Sequence, residues 1–146
     1  MQEISTRTVI HAPPEAVWEA ITTPKTYESW MTIHTKWKGD VEGTRFERGA
    51  SVDEVVTMLG MPNTISWTVD ELEEPSHMRI SGVGMAAVKV SFDFKLASNG
   101  NGGTEATIEA RYEGQMITGA LGKAVEQDGR RQLEESLAKL SALLGE

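Results

Sequence analysis

The chain has 146 residues, 39% of them apolar, and a formal charge of −8 from 22 acidic and 14 basic side chains. One domain over residues 1–146 is expected, and a domain of that size buries about 68–70% of its unfolded surface, which excludes a disordered chain. Net acidity excludes a phosphate-backbone partner, which needs clustered Lys and Arg; Arg130–Arg131 is the one dense basic spot, so no nucleic acid is expected. The absence of cysteine removes disulfides, thiolate metal sites and cysteine nucleophiles, and fits a reducing cytoplasm. Met1 to Arg7 lacks a basic start followed by an apolar run, and no stretch nears the roughly 18 apolar residues of a membrane span. A cytoplasmic protein with no integral membrane segment is expected.

Ile4 to His11 is rich in β-branched residues and reads as a strand, stopped by Ala12-Pro13-Pro14. Proline suits a first helical turn and Glu15 suits its positive end, so a short helix is predicted from Pro14 to about Thr22, burying Val17, Trp18 and Ile21. Thr23-Pro24 opens a second short helix through Tyr27 to Trp30. Met31 to Gly39 shows no period and reads as a loop. Six strands are then predicted: Thr44–Arg48, Ser51–Leu59, Thr64–Leu72, Met78–Gly82, Ala87–Ala97 and Glu105–Tyr112. Their separators carry turn chemistry, among them Gly60-Met61-Pro62-Asn63 and the tip from Ser98 to Gly103.

Alternation gives these strands one dry face, with Ile65, Trp67 and Val69, then Met78 and Ile80, then Val88 to Leu96 at every second position, then Ala106 to Tyr112 likewise. From about Gln115 to Leu144 the period changes. Ile117, Leu121, Ala124, Val125, Leu133, Leu137, Leu140 and Leu144 recur at three- and four-residue steps along one side of a helix. The fold class is α+β, β-α-α-β6-α: a seven-stranded antiparallel curved sheet, two short helices plugging one end, and a long C-terminal helix over the dry face. Thr44–Arg48 is a candidate edge strand for pairing between chains, so the expected assembly is a monomer or a weak homodimer.

Ala12-Pro13-Pro14-Glu15-Ala16-Val17-Trp18 after a strand, Tyr27-Glu28-Ser29-Trp30-Met31, the run of strands and the last helix resemble the SRPBCC superfamily. The resemblance implies the START/Bet v 1-like helix-grip fold, shared by polyketide cyclases, lipid-transfer domains and plant hormone receptors. Trp30-Met31-Thr32-Ile33-His34, Trp37, Gly60-Met61-Pro62-Asn63, Ile65 to Val69 and Val88-Lys89-Val90 are similar to an actinobacterial subgroup known as the toxin member of a toxin–antitoxin pair. That narrower resemblance implies a small antitoxin protein as partner and carries over no catalytic motif.

If the sheet grips the helix imperfectly, a cavity is left between them. Met58, Trp67, Met78, Met85, Met116, Phe92, Phe94 and Tyr112 are candidates to line it, with Leu121 and Val125 on the helix stripe; plain packing is the alternative for each. Trp30, His34 and Trp37 form a polar–aromatic group after the short helices, able to orient a ligand's polar head or to seal the barrel end. Asp128 falls near the helix's apolar stripe beside Gly129, facing either the cavity or Arg130 and Arg131. His34 and Asp128 are the candidate acid–base residues, and with Tyr112 they would form a polar end to the pocket if they converge.

Three dispersed histidines give no metal site, Gly82-Val83-Gly84 reads as a turn rather than a phosphate cradle, and no Gly-x-Ser-x-Gly occurs. No cofactor is expected. The expected function is binding or transport of a small hydrophobic or lipid-like molecule; a cyclase or dehydratase and a toxin component are the alternatives.

Overall fold

The computed structural model describes residues 2–145, and its first strand, β1 (Gln2–Ile10), ends just before the proline pair that the sequence marks as a stop. Pro14 and Glu15 open α1 (Pro14–Thr22), which turns Val17, Trp18 and Ile21 inward. A single 3-10 turn at Pro24–Thr26 leads into the four-residue α2 (Tyr27–Trp30). The strands β2 (His34–Lys38), β3 (Ser51–Met58), β4 (Met61–Glu73), β5 (His77–Val83), β6 (Lys89–Ser98) and β7 (Thr104–Glu113) follow, and then α3 (Gly119–Gly145). All seven strands pair antiparallel in the order β1-β7-β6-β5-β4-β3-β2, and the helices lie on the concave face. This is the helix-grip arrangement, α+β.

Four local expectations are corrected. Thr44–Arg48 is not a strand. It lies between Gly43 and Gly49, both at positive φ (72° and 85°), and its backbone bonds are scattered: Phe46 N–H donates to Thr22 O at 2.7 Å and Gly49 N–H to Val69 O at 2.9 Å. The edge strand is His34–Lys38, within the stretch that reads as a loop. A register shift between His34 and Lys36 turns His34 and Trp37 to the same side although they are three apart, which erases the two-residue period. Gly60 to Asn63 is not a turn as a whole. Leu59 and Gly60, at φ 53° and 74°, form a two-residue hairpin, and Met61, Pro62 and Asn63 already pair along β4. Last, α3 begins at Gly119 rather than Gln115, with Gly119 itself at φ 57°.

Curvature has two visible sources. A bulge in β4 between Val69 and Glu71 bends the longest strand, and β5 presses onto β4 at Gly82, where a Cβ would lie 2.5 Å from the Ser66 carbonyl oxygen. The concave face is filled by Ile65, Trp67, Val69, Met78, Ile80, Phe92, Phe94 and Ile108, all buried.

On the convex face the register sets Asp93 opposite Arg79, and Asp93 Oδ1 accepts from Arg79 Nε at 2.9 Å and pairs with His77 Nε2 at 2.7 Å. Burial alone raises the carboxyl's pKa, but the bonds from Arg79 and His77 outweigh it and hold Asp93 below the usual carboxylate range. A depressed folded-state pKa contributes stability above the unfolded value, and that contribution is lost as pH falls through the folded one. Asp93→Asn is therefore expected to lower stability by about 1–2 kcal/mol at pH 7, the half-exposed Arg79 limiting the gain. Urea unfolding from pH 7 to pH 3 checks this: the gap between the two proteins narrows below about pH 4.

Candidate functional site

The long helix is held to one side of the sheet. Gly122 and Gly129, two helical turns apart and both buried, bring α3 onto β1: a Cβ on Gly129 would lie 2.6 Å from Ile4 Cδ1, and one on Gly122 2.8 Å from Gln2 Nε2. The junction with α2 is locked by Thr32, whose N–H donates to Ser136 Oγ at 2.9 Å and whose hydroxyl donates to Gln132 Oε1 at 2.6 Å. Toward β3 the helix has few neighbours. There a cavity of about 150 Å³ opens under its first turns, with Val56, Met58 and Ile65 on β3 and β4, Val90 and Tyr112 on β6 and β7, and Val125 on α3 as walls.

The mouth of this cavity is apolar and exposed. Leu59 and Met61 come from the β3–β4 hairpin, Met85 from the β5–β6 loop, Met116 and Leu121 from the entry to α3, and each is 40–60% exposed. Both rim loops contain non-glycine residues in the left-handed region, Leu59 (φ 53°), Ala86 (φ 58°) and Ala87 (φ 59°), a conformation that needs outside support. Two side chains supply it. Asp128 Oδ2 accepts from Leu59 N–H at 3.1 Å, and Asn63 Oδ1 accepts from Met85 N–H at 2.9 Å.

Inside, the polar inventory is short. Among the described residues two buried side-chain atoms lack a hydrogen-bond partner, Thr6 Oγ1 and the Tyr112 hydroxyl, and Tyr112 is the one on the cavity wall. Its hydroxyl sits beside α3, 3.5 Å from where a Cβ on Gly129 would be. Burial, and after it the charge of Asp128, push the Tyr112 pKa well above the usual phenol value, so the group stays a neutral O–H at any physiological pH.

The other end of the sheet is closed by aromatic rings. Tyr27 packs against Trp30, Trp37 and Phe46 at centroid distances of 4.8, 5.4 and 5.9 Å, and Trp30 meets Phe94 edge-on at 6.4 Å. Behind this plug Glu54, 4% exposed, takes His34 Nδ1 at 2.5 Å on one oxygen and Trp67 Nε1–H at 2.8 Å on the other. Tyr27, raised by burial and secondarily by Glu54, donates to Ile21 O at 2.7 Å instead. Two further hollows are about 190 Å³ under residues 39–50, reaching Trp67 and Phe46, and about 480 Å³ on the convex face among Ser66, Thr68, Ser81, Ser91 and Arg111.

Residues 1–145 match the family described as polyketide cyclase/dehydrase and lipid transport. The chain belongs to this family. Among its relatives, a Mycobacterium tuberculosis protein named Toxin Rv0910 is 30% identical over 137 residues, covering 94% of each chain. The fold recurs in the crystal structure of TTHA0849 from Thermus thermophilus (TM-score 0.79, 17% identity, 97% of this chain and 95% of that one). It recurs also in protein CV1439 from Chromobacterium violaceum (TM-score 0.75, 18% identity, 100% and 99%). At those identities the two structures establish the shared helix-grip fold and no more.

Within this family member the candidate residues separate into three groups. Met58, Tyr112, Met116, Leu121 and Val125 meet around the cavity, and Asp128 stands at its rim holding Leu59 and bonded to Arg131 at 2.7 Å. Met78 and Phe92 are buried packing in the middle of the sheet, while Trp67 borders the hollow under residues 39–50. Trp30, His34 and Trp37 lie at the aromatic end; His34 is joined to Glu54 and lines no part of the cavity. Glu54, Met61, Asn63 and Ile117 were not among the expected residues. Glu54 carries a readable signal, an acid in phase with the inward Val52, Val56 and Met58.

Because Glu54 satisfies two buried donors, Glu54→Ala is expected to cost about 2–4 kcal/mol, and Glu54→Gln less than half of that. Denaturant midpoints of the two variants check the order.

Proposed function

We propose that the protein binds and carries a small apolar or lipid-like molecule in the cavity beneath the first turns of α3. The observation that carries this reading is the pairing of an apolar interior with a mouth of exposed Met61, Met85, Met116, Leu59 and Leu121. Soluble proteins seldom leave such side chains clustered in water, and methionine adapts to apolar ligands of varied shape. Membership of a family described by lipid transport supports the same reading.

A cyclase or dehydratase has less support. His34–Glu54 lies outside the cavity, and Asp128 has both oxygens engaged, one by a backbone N–H and one by Arg131. The relative named Toxin Rv0910 favours a second reading, in which carrying the ligand belongs to a toxin component whose small antitoxin partner relieves it. Growth arrest on expression, relieved by one co-expressed small protein, supports that reading; unimpeded growth contradicts it.

The carrier reading is tested by NMR titration with toluene, an uncharged apolar probe of a size that a cavity of about 150 Å³ holds. Val125→Trp places an indole in the cavity from the helix side and is expected to weaken the probe at least about tenfold while the protein stays folded by circular dichroism. Equal binding by both proteins, or none by the natural one, contradicts it.

A further inference from the structure

The chain has three asparagines, Asn63, Asn99 and Asn101, and two of them precede glycine in the tip that joins β6 to β7. An asparagine before glycine is chemically unstable, because no side chain screens the glycine nitrogen from the amide carbon of the asparagine. Sequence alone makes Asn99-Gly100 and Asn101-Gly102 equal in this respect. The folded tip makes them different.

Asn99 is held. Its Oδ1 accepts from Asn101 N–H at 2.8 Å and from Gly103 N–H at 3.0 Å, and its own N–H donates to Gly103 O at 3.1 Å. The nitrogen that would attack it is engaged too, since Gly100 N–H donates to Ser98 Oγ at 3.2 Å. A Cβ on Gly103 would come within 2.9 Å of Asn99 Nδ2, so the amide is also closely packed. Ring closure at Asn99 requires these bonds to open first. Asn63 is bonded as well, to Met85 N–H, and is followed by β-branched Thr64.

Asn101 is exposed, and among the described residues neither its side-chain amide nor Gly102 N–H makes a hydrogen bond. Gly102 stands at φ 83° with open space where a Cβ would be. Nothing has to be displaced before the two groups meet.

We propose that Asn101 is a site of spontaneous covalent modification, and that Asn99 is protected by the tip it holds together. The Gly102 nitrogen bonds to Asn101 Cγ, the Cγ–Nδ2 bond breaks, and the side-chain nitrogen leaves as ammonia with the proton from Gly102. Water then opens the five-membered imide at either carbonyl, giving aspartate or isoaspartate. Each product adds one negative charge to a chain already at −8. Isoaspartate also lengthens the main chain by one methylene, between the N–H groups of Asn101 and Gly103 that Asn99 Oδ1 gathers. The tip lies at the ends of β6 and β7 far from Met85 and Met116, so the change leaves the cavity as it is and does not depend on the carrier reading.

Peptide mapping by mass spectrometry tests this after the natural chain has stood at mildly alkaline pH and body temperature, once folded and once in urea. In the folded chain the one-dalton gain is expected at Asn101 at least about tenfold faster than at Asn99, whose hydrogen bonds must open before it reacts. In urea the two sites should convert at similar rates. Asn101→Gln should keep the melting temperature and remove nearly all of the gain from the folded tip. Equal rates at the two sites in the folded chain, or a folded chain in which Asn101 keeps its mass, overturns the proposal. An Asn99 that lags as far behind in urea contradicts the protection assigned to its hydrogen bonds.

Discussion

The close approach of α3 to β1 is the constraint on which the rest depends. A helix with ordinary side chains at Gly122 and Gly129 would stand off β1 and settle toward the middle of the sheet, filling the concavity evenly. Glycine within a helix costs about 1 kcal/mol per residue relative to alanine, and here that loss is offset by packing on Ile4 and Gln2. Held to one side, the same helix leaves its opposite flank, at Leu121 and Val125, without a sheet partner. The cavity is the consequence of that asymmetry.

The two ends of the sheet then solve different problems. At one end Tyr27, Trp30, Trp37 and Phe46 interlock with fixed geometry, and Glu54 ties His34 and Trp67 beneath them, giving a closely packed closure. At the other end the exposed apolar side chains are mostly methionine and leucine, which change rotamer at little cost. Rigidity enters there only through the backbone, where Asn63 and Asp128 hold two loops in left-handed conformations. Stiff loops carrying soft side chains make a mouth whose outline can adjust.

Most of the fold was legible because it rests on short-range periodicity. Phe92, Phe94 and Leu96 on β6, and Ile108, Ala110 and Tyr112 on β7, alternate without interruption, and the three- and four-residue steps from Val125 to Leu140 follow the buried side of α3. The failures have physical causes. The bulge at His34 and Lys36 replaced a two-residue step by a three-residue one, so a real strand read as a loop, while Thr44–Arg48 alternates acceptably and yet is fixed by single bonds to Thr22 and Val69. The candidate cavity was half legible. Apolar wall residues such as Met58 and Val125 follow from which face is dry, whereas the roles of Asn63 and Asp128 are contacts between segments far apart in the chain, which no local pattern encodes. His34 illustrates the limit most clearly: its neighbours in sequence suggested a mouth, and its partner in space is a glutamate inside the plug.

The most direct measurement is a crystal structure under xenon pressure, since xenon enters dry apolar cavities of about 150 Å³ without any head-group chemistry. A xenon peak in contact with Met58, Val125 and the Tyr112 ring, with none among Tyr27, Trp30 and Trp37, is the result expected from a helix held against β1 and away from β3. A crystal in which Met116 or Leu121 has folded in to fill that volume, leaving no peak there, would contradict it.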